Sequence, residues 1–284
     1  MQGTEGNKAW LGVFNFPLVG RAKKPRDRGI TMVIDKGLGL TETRDLMALA
    51  SDYIDFLKLT FGTSAFYSTQ LLKEKVAMVR SHGVDIYPGG TFLEIAMLQG
   101  TLDQFLDRAK DLGFSTIEVS DGTIPMTMEE RRTAILKAQG RGFRVITEVG
   151  KKDPAERVPQ SKILEQVAQD LECGVFKVIV EGRESGKGVV IYDKDGHVDE
   201  NELEGLARGV ADTNQLIWEA PLKNQQQALI LRFGSNVNLG NVHPDEILAL
   251  EALRVGLRGD TLKASLRGPL LVGDLGNGSL GAGV

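Results

Sequence analysis

Cysteine, tryptophan and histidine are scarce in this chain, with 1, 2 and 3 copies among 284 residues. A single thiol, Cys173, excludes an internal disulfide and a cysteine-rich zinc site. Its place just before an apolar run marks it as a packed side chain and fits a reducing compartment. The three histidines lie far apart: His82 closes a helix-like stretch, His197 falls in the turn-like run IYDKDGHV, and His243 precedes Pro244. Capping and surface roles account for them, and no zinc centre is expected. No uninterrupted apolar run nears the roughly 20 residues that span a bilayer, and the start MQGTEGNKAW lacks a basic-then-apolar signal. Nor is positive charge in excess. With 34 Lys and Arg against 38 Asp and Glu, the net charge is -4, so no extended cationic face awaits nucleic acid or an anionic membrane. A cytoplasmic globular protein without nucleic-acid or membrane partners is expected, and its basic sites must be local.

What the chain does have is a regular alternation of short apolar runs with longer amphipathic ones. Strands are expected at 31–35 (TMVID), 53–59 (YIDFLKL), 84–87 (VDIY), 116–119 (TIEV), 144–147 (RVIT), 176–180 (FKVIV), 216–218 (LIW) and 237–239 (VNL). Between them, apolar residues recur with the 3.6-residue period of helices that cover a sheet: Leu102, Phe105, Leu106, Ala109 and Leu112 on one stripe, and Ile247, Leu250, Leu253 and Leu257 on another. Asp199 and Glu200, and Pro244 with Asp245 and Glu246, read as helix starts. About eight strand-helix units in some 250 residues is the rhythm of a single (β/α)8 TIM barrel in the α/β class. A doubly wound open sheet is the alternative, but usually has fewer strands and a topological switch point. The barrel is expected over 31–264, preceded by a capping segment, 1–30, that holds Trp10, Phe14 and Phe16 and the basic run KKPRDRG, and followed by a Gly-rich tail, 265–284.

In such a barrel the carboxyl ends of the strands converge on one mouth. This chain places an ionic set there: Asp35 and Lys36, Lys58, Glu118 and Asp121, Glu148 with Lys151 and Lys152, Glu181 with Arg183, and Glu219 with Lys223. Asp35, Glu148, Glu181 and Glu219 occupy equivalent positions in four units. Converging carboxylates without matching histidines suit a hard cation such as Mg²⁺. The run EGRESGKG, 181–188, adds cations and glycines where a buried strand emerges, which suits a small, multiply anionic substrate. It is one residue short of a P-loop and ends in Gly188 where Ser or Thr is required. The Gly37-Leu38-Gly39 run has Glu42 where a dinucleotide fingerprint needs its third glycine. The DKDG run lacks the spacing and closing glutamate of a calcium loop and reads as a hairpin turn. No nucleophile elbow is present.

Nine segments in order then resemble the phosphosulfolactate synthase family, over about 28–261: VIDKGLG (33–39), YIDFLKLTFGTSA (53–65), YPGGT (87–91), GFSTIEVSDGTI (113–124), TEVGKK (147–152), EGRESGKG (181–188), EAPLKNQQ (219–226), FGSNVNLGNV (233–242) and LRGDT (257–261). The resemblance implies a (β/α)8 fold and Mg²⁺-dependent addition of sulfite to phosphoenolpyruvate, giving (2R)-2-O-phospho-3-sulfolactate for coenzyme M or sulfolactate biosynthesis.

That chemistry matches the residue types. Two anions must be held together against their repulsion, electrons move into a carboxylate, and a proton must reach the carbon bearing the phosphate. Together with the resemblance, these needs assign Lys152, or its neighbour Lys151, as general acid. They assign Glu148 and Glu181 as leading Mg²⁺ ligands, with Asp35 and Glu219 behind them. Arg183 and Lys187 would hold phosphate or sulfite, helped by Lys36, Lys58, Arg258 and the glycine turns at 89–90 and 186–188. A homo-oligomer is expected. Two other readings stay open: an inactive barrel relative with a stress-related role, and a lyase or aldolase that forms a Schiff base through Lys58 on a phosphorylated keto acid.

Overall fold

A computed structural model of the chain describes residues 8–266; the expected tail lies outside the described residues from 267 on. Eight strands alternate with helices: β1 (Thr31–Asp35), β2 (Phe56–Leu59), β3 (Asp85–Tyr87), β4 (Thr116–Val119), β5 (Arg144–Val149), β6 (Lys177–Val180), β7 (Leu216–Glu219) and β8 (Leu239–Val242). The helices are α1 (Leu40–Ala50), α2 (Thr69–Ser81), α3 (Gly90–Leu98), α4 (Leu102–Asp111), α5 (Met128–Gly140), α6 (Gln160–Glu172), α7 (Glu200–Gly209), α8 (Lys223–Phe233), α9 (Ile247–Arg254) and α10 (Gly259–Ser265). All paired strands are parallel, in the order β3-β2-β1-β8-β7-β6-β5-β4. Because β1 pairs with both β2 and β8, the sheet curls, and its two edges meet where Ser115 takes two hydrogen bonds across the seam, from its N–H to Ile86 O (3.3 Å) and from the Ile86 N–H to its Oγ (3.1 Å). The expected TIM barrel is thus the observed one, nearly closed, and the open doubly wound sheet is set aside.

Strand side chains alternate in direction. One set, with Met32, Phe56, Tyr87, Ile146, Ile179 and Ile217, packs inside the barrel; the other, with Val33, Leu57, Val145, Val178 and Trp218, packs against the helices. The parity has a direct consequence for the mouth. Two residues beyond Phe56, Ile146 and Ile217 on the inward parity come Lys58, Glu148 and Glu219, while Asp35 falls on the outward parity with Val33. Several element ends move by a few residues from their expected places. β8 is later than 237–239, which brings Gly240 and Asn241 into the barrel; residues 51–53 form a 3₁₀ turn before β2; and Leu257 lies beyond the end of α9.

In the N-terminal segment Trp10, Phe14 and Phe16 are 69%, 46% and 50% exposed, so they do not hold it in place. Instead the basic run does the anchoring. Arg26 forks onto the Asp55 carboxylate at 2.8–3.1 Å, and Lys24 donates to Ser51 O and Ile54 O. The DKDG run is the expected hairpin turn, closed by a bridge between Tyr192 and Val198, and Asp199 caps α7. No helix among the described residues is long and apolar enough to cross a membrane.

Candidate functional site

The carboxyl ends of the strands surround a cavity of about 410 Å³. One wall is charged. Inward parity on β5 and β7, and the residue after β6, bring Glu148, Glu181 and Glu219 together, all three buried, with one carboxylate oxygen from each within 4.8 Å of the others. Glu118 of β4 stands beside them. Two ammonium groups thread this set: Lys58 Nζ lies 3.0, 3.1 and 3.5 Å from Glu118, Glu148 and Glu219, and Lys152 Nζ lies 2.8 Å from Glu181 and in contact with Glu148. Four carboxylates against two ammoniums leave two negative charges to be balanced.

The electrostatics follow from burial and from those contacts. Burial would push Glu148 up, but Lys152 and Lys58 hold it well below the usual carboxylate range. Burial pushes Glu219 well above that range, with Glu181 adding to the effect, and burial likewise raises Glu181 and Glu118. Burial would lower Lys58, yet Glu118, Glu148 and Glu219 raise it well above an ordinary lysine. Lys152 is raised in the same way, against burial, by Glu148 and Glu181. A dication among Glu148, Glu181 and Glu219 would relieve the carboxylate crowding that burial makes costly, and oxygen-only donors fit a hard ion.

Tight backbone turns make room for this set. Gly240 faces inward, where an added Cβ would lie 2.5 Å from Met32 Cε and 3.5 Å from Glu219 Cγ. At Gly90 an added Cβ would lie 2.4 Å from Glu118 Oε1, which accepts a hydrogen bond from the Gly90 N–H. Four non-glycine residues among those described adopt positive φ, and three of them, Phe61, Arg183 and Asn241 (60°, 61° and 53°), line the cavity. Backbone strain of this kind gathers at functional sites. Asn241, only 5% exposed, donates from Nδ2 to Arg183 O at 3.2 Å, while its Oδ1 has no partner.

Of the residues singled out from the sequence, the cavity gathers Glu148, Glu181, Glu219, Lys58, Lys152 and Arg183. The others stand elsewhere. Asp35, on the outward parity, pairs with the buried Lys75 of α2, and its Oδ1 accepts from the Gly37 and Leu38 N–H groups, so it shapes the turn into α1 and is no member of the carboxylate cluster. Lys36 pairs with Glu184 at the exposed rim. Lys151 turns back to the Asp121 carbonyl oxygen. Lys187 is exposed and does not line the cavity, and Arg258 stands at the start of α10, 3.8 Å from Asp260. Residues without an assigned role take part instead. Glu94 of α3, fully buried, accepts from the Thr123 and Ile124 N–H groups, and Ser120 Oγ lies 2.9 Å from its carboxylate and 3.0 Å from that of Glu148. Arg131 of α5 reaches Asp121, Asp170 and the Glu148 carbonyl oxygen from behind β5.

Similarity to known proteins agrees with this geometry. A solved phosphonopyruvate hydrolase superposes with a TM-score of 0.51 at 13% identity, over 89% of this chain and 88% of that one, which is a likeness of fold. Among curated proteins, the phosphosulfolactate synthase of Methanocaldococcus jannaschii is 48% identical over 236 residues, 82% of this chain and 94% of its own length. That of Bacillus subtilis is 40% identical over 250 residues, 87% and 98% of the two chains. The Protein HEAT-STRESS-ASSOCIATED 32 of Arabidopsis thaliana is more distant, at 23% over 82% of this chain. With the (2R)-phospho-3-sulfolactate synthase (ComA) family model also matching residues 19–260, the chain belongs to the phosphosulfolactate synthase family of lyase-type enzymes.

Proposed function

We propose that the protein adds sulfite to phosphoenolpyruvate, with Mg²⁺ held by Glu148, Glu181 and Glu219, to give (2R)-2-O-phospho-3-sulfolactate in the cytoplasm. The observation that carries this reading is the pairing of a three-carboxylate cluster with Lys152, an ammonium group that lines the same cavity. When bound, the dication would draw onto the substrate carboxylate the charge that develops there. Arg183, on the exposed loop after β6, supplies positive charge for the anions that enter. Sulfite attacks through its sulfur lone pair, forming the S–C bond at the methylene carbon, and the double-bond electron pair moves toward the carboxylate. Lys152 Nζ then gives its proton to the carbon bearing the phosphate. Glu148 and Glu181 support that role because they keep Lys152 protonated until it is used. Lys58 carries counter-charge within the carboxylate set and keeps those side chains apart.

The Schiff-base reading needs a neutral amine at Lys58. Three carboxylates around its ammonium group oppose that, since they favour the charged form well beyond an ordinary lysine. The reaction is tested by incubating purified protein with sulfite and phosphoenolpyruvate, with Mg²⁺ or with a chelator, and measuring phosphosulfolactate by mass. Product that depends on Mg²⁺ is expected, and its absence would sink the proposal. Borohydride treatment in the presence of substrate is expected to leave Lys58 unmodified.

A further inference from the structure

Across the mouth from β5, β6 and β7, the cavity is lined by Ile34, Thr60, Gly89, Gly90 and Thr91, which follow or belong to β1, β2 and β3. Two hydroxyl groups on this wall have no work to do in the fold. Thr60, just past β2, is 7% exposed and lines the cavity, yet its Oγ1 bonds to nothing in the protein; the Thr91 hydroxyl, in the first turn of α3, is likewise without a protein partner. A hydroxyl on a cavity wall that makes no bond within the protein is available to a ligand. Between them lies the N-terminus of α3, a nine-residue helix whose cap, Gly89, has φ of 82° and no side chain to occupy the space. The Gly90 N–H serves Glu118, while helix geometry leaves those of Thr91 and Phe92 without an intrahelical acceptor. Lys58 is adjacent: a Cβ on Gly89 would lie 3.8 Å from Lys58 Cε.

The geometry points to an oxyanion subsite at this wall, in which the Thr60 and Thr91 hydroxyls and the first-turn N–H groups of α3 donate to the oxygens of a phosphate or sulfite group. The two hydroxyls and the first-turn N–H groups are donors or can act as donors, and the helix dipole adds positive potential at the same end. The arrangement also separates the charges. Glu148, Glu181 and Glu219 gather on β5 to β7, whereas Thr60 and Thr91 follow β2 and β3 across the mouth, so an anion seated there stays clear of most of the carboxylate repulsion. The one carboxylate that reaches this wall, Glu118, is matched by Lys58 at 3.0 Å.

The subsite rests on the proposed reaction for its substrates, so its test is built to read binding apart from turnover. The full chain and the variants Thr60→Val, Thr91→Val and the double variant are titrated by calorimetry with inorganic phosphate and, separately, with sulfite, and KM is measured for each substrate of the reaction. Since neither hydroxyl bonds to protein, the Tm of each variant should match the wild type. Affinity for one of the two oxyanions is expected to fall about ten- to hundredfold in the double variant, the effect of losing hydrogen bonds to a charged group. Thr60→Ser, which keeps the hydroxyl, should restore it. A loss confined to inorganic phosphate, with a raised KM for phosphoenolpyruvate, identifies the phosphate group as the occupant; a loss confined to sulfite identifies sulfite; either supports the subsite. If the wild type binds neither anion, or the folded double variant binds both as the wild type does, the subsite is overturned. Should the chain make no phosphosulfolactate yet bind an oxyanion in a way that depends on Thr60 and Thr91, the subsite stands and the reaction falls.

Discussion

Lys152 follows β5 by three residues and reaches back between Glu148 and Glu181, a position that explains why it stays charged. Its neighbour Lys151 points the other way, to Asp121, and so makes an internal control. In the proposed reaction Lys152→Ala should lower kcat at least about 100-fold, the scale of losing a positioned proton donor, whereas Lys151→Ala should change it little. Steady-state kinetics on both variants check this, and an unchanged rate in Lys152→Ala would move proton delivery elsewhere. The carboxylate cluster was legible in the sequence because each of its members stands at the end of a short, buried apolar run. Asp35 stands at a strand end like the others, but strand parity turns it away from them. Counting by two from the inward Met32 reaches Ile34, and Asp35 must then face Lys75 on α2. The same count on TIEV turns Glu118 inward. Thr60, Thr91 and Asn241 carried no such signal, since their direction depends on how loops turn back over the mouth; the Asn in NLGN, a residue type that tolerates positive φ, was the one available hint.

Elements meet behind the mouth at Arg131, which joins α5 to α6 through Asp170 at 2.6 and 2.8 Å, to the loop after β4 through Asp121, and to β5 through Glu148 O. Both Arg131 and Asp170 are about 1% exposed. Removing the arginine alone leaves a buried carboxylate without its counter-charge, so Arg131→Met should destabilise the fold by about 3–5 kcal/mol in urea unfolding. Replacing Asp170 by Leu in the same chain should recover part of that loss, because the orphaned charge goes with it. An Arg131→Met variant as stable as the wild type would show that the network contributes little. Strands and helices of the barrel were readable because they repeat two simple periods. In α5 the buried Arg131 interrupts the apolar face, so a charge that serves packing reads in the sequence like a solvated one.

At the scale of the whole molecule, the proposed metal site would couple stability to both metal and pH. Glu118, Glu181 and Glu219 are raised by burial, so in the absence of metal the native state binds more protons than the unfolded chain once pH passes the ordinary carboxylate range. Stability then falls as pH rises through their folded values. The other shifted groups of the mouth act outside that window. Glu148, held low, contributes stability that is present above its unfolded value and lost only as pH drops toward its folded one; Lys58 and Lys152, held high, contribute stability lost only in strong alkali. A dication must displace protons from Glu181 and Glu219 to be held by them, so its affinity grows with pH. The increase in Tm caused by a fixed Mg²⁺ concentration should therefore widen steadily from mildly acidic to mildly alkaline buffer, as mass action on the native state requires. Glu219→Gln removes one of the protons to be displaced along with one of the ligands, and should both shrink the metal-induced shift and flatten its pH dependence. Thermal unfolding across a pH series, with Mg²⁺ and with chelator, measures the two together; a shift that is independent of pH would mean that the ion is held away from the buried carboxylates.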